Sequence, residues 1–423
     1  WTKGREGERE RERGRRMRAK VVRTRGSVGG ARTSRIKTNT NTNVNRNRHV
    51  MHRGRRDAAG DSSSCSNKPR QNQCRAARRG GGAERRRASC VAMAGAEEPR
   101  VAIVGATGAV GQEFLELLDQ RDFPMGSLKL LASARSAGKA MTFKGQEITV
   151  EELTDKSFED VDIALFSAGG GISKKFGPIA SDSGAVVVDN SSAFRMAPDV
   201  PLVIPEINAE AMKDIKWRER KGGIIANPNC STIIALMAVT PLHRAATVKR
   251  MVVSTYQAAS GAGQAAMDEL VLQTKEALEG KEVTKDIFPI QYAFNLFSHN
   301  SPMQDNGYNE EELKMVKETK KIWNFDGVSI TATCIRVPIV RAHAESINLE
   351  FEGQGLSEAR ARELLSGAPG VSLIDDRSSN TFPTPLDASF KDDVFVGRIR
   401  KDISRDGDKG LDLFVCGDQI RKG

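Results

Sequence analysis

Asn227-Pro228-Asn229-Cys230-Ser231-Thr232 runs directly into Ile233-Ile234-Ala235-Leu236-Met237-Ala238-Val239, an apolar stretch of helical character. Cys230 is therefore expected at or near a helix N-terminus, where unpaired amides and the helix dipole favour a thiolate over a thiol. A thiol so placed is a candidate nucleophile, whereas Cys334 and Cys416 lie inside apolar, strand-like runs and read as core residues. A cysteine nucleophile commonly works with a base. Beyond residue 100 the histidines are His243, His299 and His343. His243 closes the helix that follows Cys230 and should point away from it. His343 lies downstream of Arg336, with Pro338 interrupting two strands between them. Arg336 suits the anchoring of a carboxylate through two parallel hydrogen bonds and His343 suits proton transfer; a surface ion pair or a capped histidine is the alternative for each.

These side chains require a scaffold, and folding signals start abruptly at Arg100-Val101-Ala102-Ile103-Val104. That run leads into Gly105-Ala106-Thr107-Gly108-Ala109-Val110-Gly111 and then into residues 112–118, apolar at helical spacing. Strand, glycine turn and helix in this order let the backbone approach a pyrophosphate while the helix N-terminus offers free amides. Short apolar runs at 128–132, 148–150, 163–166, 185–188 and 224–226 continue the pattern. An α/β fold with a Rossmann-like, doubly wound parallel sheet is expected. About twenty residues past the glycine loop, where an NAD site places an acid on the ribose, the chain reads Ser133-Ala134-Arg135-Ser136. A guanidinium and a hydroxyl suit a 2′-phosphate that a carboxylate would repel, so NADP is expected over NAD, with a solvated basic loop as the alternative. Ser167-Ala168-Gly169-Gly170-Gly171 leaves another strand end and is expected to hold the nicotinamide half.

The chain has 423 residues, 28% charged and 39% hydrophobic, enough for one large or two ordinary domains with a buried core. No apolar run reaches the roughly eighteen residues of a membrane-spanning helix, so no membrane partner is expected. A net charge of +11 would suggest a polyanionic partner if it were spread over the folded part. It is not: residues 1–100 hold 28 Lys and Arg against 9 Asp and Glu, a balance of +19, and the remaining 37 against 45 carry −8. Nucleic acid is therefore not expected as a partner of the body. Residues 1–98 contain basic clusters such as Arg15-Arg16 and Arg85-Arg86-Arg87 with hardly any apolar periodicity. Such a segment does not bury enough surface to offset an ordering cost of roughly 1–2 kcal/mol per residue. It is expected to be a disordered basic leader with the composition of an organellar transit peptide, directing the protein to a plastid; without it the protein would be cytoplasmic. An over-extended gene model and a basic nucleic-acid-binding tail are the other readings. Cys65, Cys74 and Cys90 lie in the leader, and Cys230, Cys334 and Cys416 show no metal-ligand spacing, so neither a metal site nor a disulfide framework is expected.

With these residues in place, the chain from about residue 99 to its end resembles aspartate-semialdehyde dehydrogenase. The resemblance is carried by Asn227 to Thr232, Gly105 to Gly111, Asn190 to Arg195, Gln257 to Gly261, Glu311 to Lys314, and Arg336 through His343. It implies that Cys230 forms an acyl-thioester, that His343 is the general acid and base, and that Gln257 orients the substrate. Arg336 and Glu311 would hold the substrate carboxylate and amino ends, and Arg195 and Lys314 the phosphate. Amides at the start of the Cys230 helix, with the Asn229 side chain, would stabilise the oxyanion. NADP would be held by Gly105, Thr107, Gly108, Ala109, Val110, Gly111, Arg135, Ser136, Ser167, Gly169, Ser260, Gly261 and Gln419.

The implied reaction is NADPH-dependent reductive dephosphorylation of L-aspartyl 4-phosphate to L-aspartate 4-semialdehyde, on the route to lysine, threonine, methionine and isoleucine. A different acyl-phosphate reductase, such as one acting on N-acetyl-glutamyl phosphate, is the rival. The implied partners are the small-molecule substrate, phosphate and a second copy of the chain, as a homodimer or a tetramer. The expected architecture is an NADP-binding domain over 99–228, completed by a C-terminal helix within 397–423. It encloses an α+β catalytic and dimerisation domain over 229–396, with a mostly antiparallel sheet.

Overall fold

A computed structural model describes residues 98–216 and 219–423, so the expected leader falls outside the described residues but for its last position. The strands are β1 (Arg100–Val104), β2 (Ser127–Ala132), β3 (Ala140–Phe143), β4 (Gln146–Thr149), β5 (Glu151–Glu152), β6 (Ile163–Phe166), β7 (Val186–Asp189) and β8 (Gly223–Ala226) in the first part. There follow β9 (Val248–Gln257), β10 (Phe297–Ser298), β11 (Ser329–Arg336), β12 (His343–Phe351), β13 (Val371–Leu373), β14 (Val394–Lys401) and β15 (Gly410–Gly417). The longer helices are α1 (Ala109–Gln120), α2 (Gly170–Asp182), α3 (Cys230–Ala245), α4 (Gln264–Leu278), α5 (Glu310–Trp323) and α6 (Glu358–Ser366).

The first sheet runs β5-β2-β1-β6-β7-β8 with every pairing parallel, as the short apolar runs predict. Val101 to Val104 are fully buried, the mark of a strand covered on both faces. One expected strand is placed differently. Residues 148–150 do not enter this sheet as a strand; β4 pairs antiparallel with β3 in a separate hairpin. Lys144 and Gly145, both at positive φ, close it in the two-residue turn that hairpins favour.

The second sheet runs β10-β11-β9-β12-β15-β14-β13, antiparallel at four of its six pairings. Here the expected C-terminal helix is corrected. Residues 397–423 contain the end of β14 and all of β15, which pair with each other inside this sheet and not with the nucleotide domain. The reason is the period of two in Leu411-Asp412-Leu413-Phe414-Val415: Leu411, Leu413 and Val415 are buried while Asp412 and Phe414 are partly exposed. Only residues 418–423 return to α1, where Arg421 meets Glu113 at 3.3 Å.

Helix α3 is apolar on every side, and residues 231–240 are all buried. It packs on β9, β12, β14 and β15 and against α5 and α6. Each buried Leu or Ile in it contributes about 1.5–3 kcal/mol. The thiol at its first residue is thereby held to the core against the second sheet.

Candidate active site

The second sheet aligns three of the expected residues through its register. Arg336 on β11 pairs with Gln257 on β9, and His343 stands one residue past the Ala344–Tyr256 pair on β12. Residues opposite one another point to the same face. The next row on that face is Cys334, Thr255, Glu345 and Val415, and the row beyond is Ala332, Val253, Ile347 and Leu413. One face thus passes from apolar core to a polar edge along the strands, and α3 brings Cys230 to that edge.

Asn229 is the N-cap of α3. Its Oδ1 accepts the amides of Ser231 at 3.1 Å and Thr232 at 3.2 Å, its Nδ2 donates to Glu311 Oε1 at 2.8 Å, and its own amide donates to Glu318 Oε2 at 2.6 Å. Glu311 Oε1 also accepts from Gln257 Nε2 at 3.2 Å, and Oε2 accepts from Lys314 Nζ at 3.1 Å. Glu311, Lys314 and Glu318 share one face of α5 through their spacing of three and four. Burial works against a charge on Glu311, but Lys314, His299 and the Asn229 amide hold it anionic at about 2.

Cys230 corrects the expectation of a lowered thiol pKa. Burial pushes it up to about 12 and Glu311 adds to this, while Arg195, Arg336 and the Ser231 amide pull the other way. Of the amides expected to favour a thiolate, and later an oxyanion, those of Ser231 and Thr232 also serve Asn229 Oδ1. The backbone of Gly423 lies against the same residue: a Cβ there would stand 2.6 Å from that of Cys230. The free thiol is therefore protonated at neutral pH. Its alkylation by iodoacetamide should rise about tenfold per unit from pH 7 to 9, as thiolate forms; a plateau below pH 8 would contradict this.

His343 is fully buried. Burial and then Arg336 push its pKa down to about 3, so the ring is neutral. The Ala258 amide donates to its Nδ1 at 3.0 Å, which places the ring proton on Nε2. Nε2 has no partner among the described residues and lies beside Gly261, where a Cβ would come within 3.2 Å of it. In this state His343 is a hydrogen-bond donor, and it must release the Ala258 amide to accept a proton at Nε2. His243, as expected, lies elsewhere, stacked on Trp323 with ring centroids 4.1 Å apart.

A cavity of about 340 Å³ collects Cys230, Asn229, Gln257, Glu311, Lys314, Arg195 and Arg336 together with Val110, Ser260, Gly261 and Gln419. Arg336 donates from Nη1 to Ala258 O at 3.1 Å. Arg195 donates to Asn227 O at 2.8 Å, Asn190 O at 3.0 Å and Glu318 Oε1 at 3.1 Å, leaving one N–H on each terminal nitrogen.

The cofactor loops leave the carboxyl ends of neighbouring strands β2, β1 and β6. Gly105, at φ +88, touches the Ser167 backbone: a Cβ there would stand 2.3 Å from Ser167 O, so no larger residue fits. Gly108 caps α1, whose first turn holds no acidic residue and presents the amides of Ala109, Val110 and Gly111. Gly169 begins α2 at φ +86 with open space where a Cβ would sit. Arg135 is exposed and Ser136 buried at the end of β2, away from the cavity around Cys230. At the other end Gln419 donates to Ser260 Oγ while its Oε1 is buried without a partner. Open amides at the start of α1 and, in the cavity with Cys230, an acceptor with no partner among the described residues fit the pyrophosphate and the carboxamide of a nicotinamide dinucleotide.

Residues 100–215 match the family described as semialdehyde dehydrogenase, NAD binding domain, and residues 239–422 match semialdehyde dehydrogenase, dimerisation domain. An aspartate-semialdehyde dehydrogenase of Synechocystis is 54% identical over 324 residues, 77% of this chain and 93% of that one. The chain belongs to the aspartate-semialdehyde dehydrogenase family. Its namesake of Aquifex aeolicus is 52% identical over 326 residues, 77% of this chain and 94% of the relative. Among solved structures, aspartate semialdehyde dehydrogenase II of Vibrio cholerae, complexed with ASA, shares 44% identity with a TM-score of 0.73, covering 78% of this chain and 95% of that one.

This member of the aspartate-semialdehyde dehydrogenase family also has site residues that the motifs did not reveal. His299 lines the cavity, its Nδ1 within 3.1 Å of Ser301 Oγ, and burial followed by Arg336 pushes its pKa down to about 4. It sits in a polar loop with no motif around it. Glu318 holds both the Asn229 amide and Arg195, and its only trace in the sequence is the helical spacing of seven from Glu311. Among the described residues no group of His, Cys, Asp and Glu is arranged to hold a metal, and no helix is long and apolar enough to cross a membrane.

Proposed function

We propose that the protein is an NADP-dependent aspartate-semialdehyde dehydrogenase that converts L-aspartyl 4-phosphate to L-aspartate 4-semialdehyde, reversibly, through a thioester on Cys230. One observation carries this reading: anionic Glu311 ties the Cys230 turn to Gln257 and Lys314 in a cavity that also holds Arg336 and Arg195. Arg336 takes the substrate carboxylate. Glu311 takes the free ammonium, which an N-acetylated rival substrate lacks. Arg195 and Lys314 take the phosphoryl group, and Gln257 orients the acyl carbon toward the sulfur.

The Cys230 thiol gives its proton to the phosphoryl oxygen that leaves as phosphate, and an ammonium on Glu311 lowers the cost of that transfer by offsetting the negative charge that disfavours thiolate. Sulfur then bonds to the acyl carbon and phosphate leaves. Nε2–H of His343 donates to the oxyanion of the tetrahedral intermediates. Bound NADPH supplies the hydride that reduces the thioester. As the aldehyde forms, sulfur departs from carbon and takes a proton from solvent.

Arg135 and Ser136 would hold the 2′-phosphate, the amides of 109–111 the pyrophosphate, and Ser167, Gly169, Ser260, Gly261 and Gln419 the nicotinamide half. A homodimer or tetramer is supported by the dimerisation-domain match and by the second sheet's other face, where Tyr256, Ile335 and Phe414 stay partly exposed. Residues 1–98 would direct the enzyme to a plastid, a reading supported by their charge balance and by the cyanobacterial relative, and the product would feed lysine, threonine, methionine and isoleucine synthesis.

Phosphate-dependent NADP reduction with aspartate semialdehyde tests the whole reading, and a folded, reduced sample without activity overturns it. In the same assay Arg135→Ala should raise KM for NADP about tenfold, the cost of one charge-assisted pair, and leave KM for NAD unchanged. Equal effects on both cofactors would refute the role of Arg135.

A further inference from the structure

Arg195 sits on the loop after β7, only 7% exposed, and its carbonyl acceptors belong to that loop and the one after β8. Among the described residues its one carboxylate partner is Glu318, itself 1% exposed. The two oxygens of Glu318 divide their work: Oε1 accepts from Arg195 Nη1 at 3.1 Å, and Oε2 accepts from the Asn229 amide at 2.6 Å, one residue before the nucleophile. One turn further along α5, Lys321 Nζ donates to the carbonyls of Arg195 at 2.8 Å, Ala197 at 2.6 Å and Val200 at 2.8 Å. The helix therefore grips Arg195 by its guanidinium and by its backbone, and grips the cysteine turn through the same carboxylate.

We propose that Glu318 is a positioning residue that sets the anion-binding guanidinium of Arg195 and the turn carrying Cys230 as one unit. This rests on the reading of Arg195 as a phosphate ligand given above. Both oxygens accept N–H groups, as a carboxylate does, and an amide supplies only one acceptor. With Gln at 318, serving the Asn229 amide turns an NH₂ toward the guanidinium, and Arg195 loses the anionic anchor that Glu318 supplies. Asp keeps the charge but is one methylene too short to span both partners.

The test uses Glu318→Gln and Glu318→Asp in the full chain, in phosphate-dependent oxidation of aspartate semialdehyde. Losing a hydrogen bond to a charged group should raise KM for phosphate at least about tenfold, with KM for aldehyde and NADP changing less than about twofold. In an Arg195→Lys background, Glu318→Gln should add less than about a further twofold, since the two act through one contact. A separate readout avoids turnover: inorganic phosphate should protect Cys230 from iodoacetamide, and half-protection should shift to higher phosphate in either variant that remains folded. Unchanged phosphate KM and protection, a parallel rise of all three KM values, or full additivity with Arg195→Lys would overturn the proposal. A wild-type protein that phosphate protects but that shows no turnover would sink the functional reading, and the protection shift would still decide the role of Glu318.

Discussion

Cys230→Ser should cut phosphate-dependent NADP reduction by at least about a thousandfold, because in the proposed mechanism the residue supplies the only bond through which the acyl group is carried. Serine keeps the size of the side chain, so the N-cap contacts of Asn229 to Ser231 and Thr232 remain and melting temperature and NADP binding should be close to wild type. The effect is expected to be severe because even the thiol is hard to ionise here, pushed up to about 12 by burial and Glu311. An alcohol in the same place is harder still. Residual turnover above about one per cent, from protein with an intact cofactor site, would show that the acyl group does not pass through residue 230.

His343→Gln should lower kcat by about 10² to 10³, the range for losing one oxyanion donor, and leave KM for NADP nearly unchanged. Burial and Arg336 hold the ring at about 3. A histidine with a lowered pKa stays neutral until pH falls to that value, so kcat/KM of the wild type should show no loss between pH 7 and 5 from protonation of this ring. A limb near 6.5 that disappears in His343→Gln would mean that the ring titrates normally. Nitrogen NMR of the free enzyme should find the proton on Nε2, since the Ala258 amide occupies Nδ1 at 3.0 Å.

Much of the site is local in character, and that part can be read along the chain. Asn229 before Cys230, the Pro turn and the apolar run behind them identify a capped helix start, because capping depends on neighbours within three residues. Gly105 is recognisable for a similar reason, since only glycine takes φ +88 with Ser167 O where a Cβ would be. The strands and helices around Met251, Cys334, Ile347 and Glu311 follow from period. The expected helix within 397–423 fails although the alternation of Leu411 to Val415 was present. A run of that length becomes a strand only if a sheet edge is waiting, and the edge is β12, some sixty residues earlier.

The candidate nucleophile, the glycine loop and the family were thus legible in short-range patterns that survive in one dimension. What the tertiary structure alone decided is the state of those groups. The thiol is neutral, the imidazole carries its proton on Nε2, Glu311 is charged, and Arg195 is anchored by Glu318. Burial and Coulomb interactions act through space between residues as far apart as Asn229 and Glu311 or Arg195 and Glu318, and no spacing in the sequence encodes a dielectric.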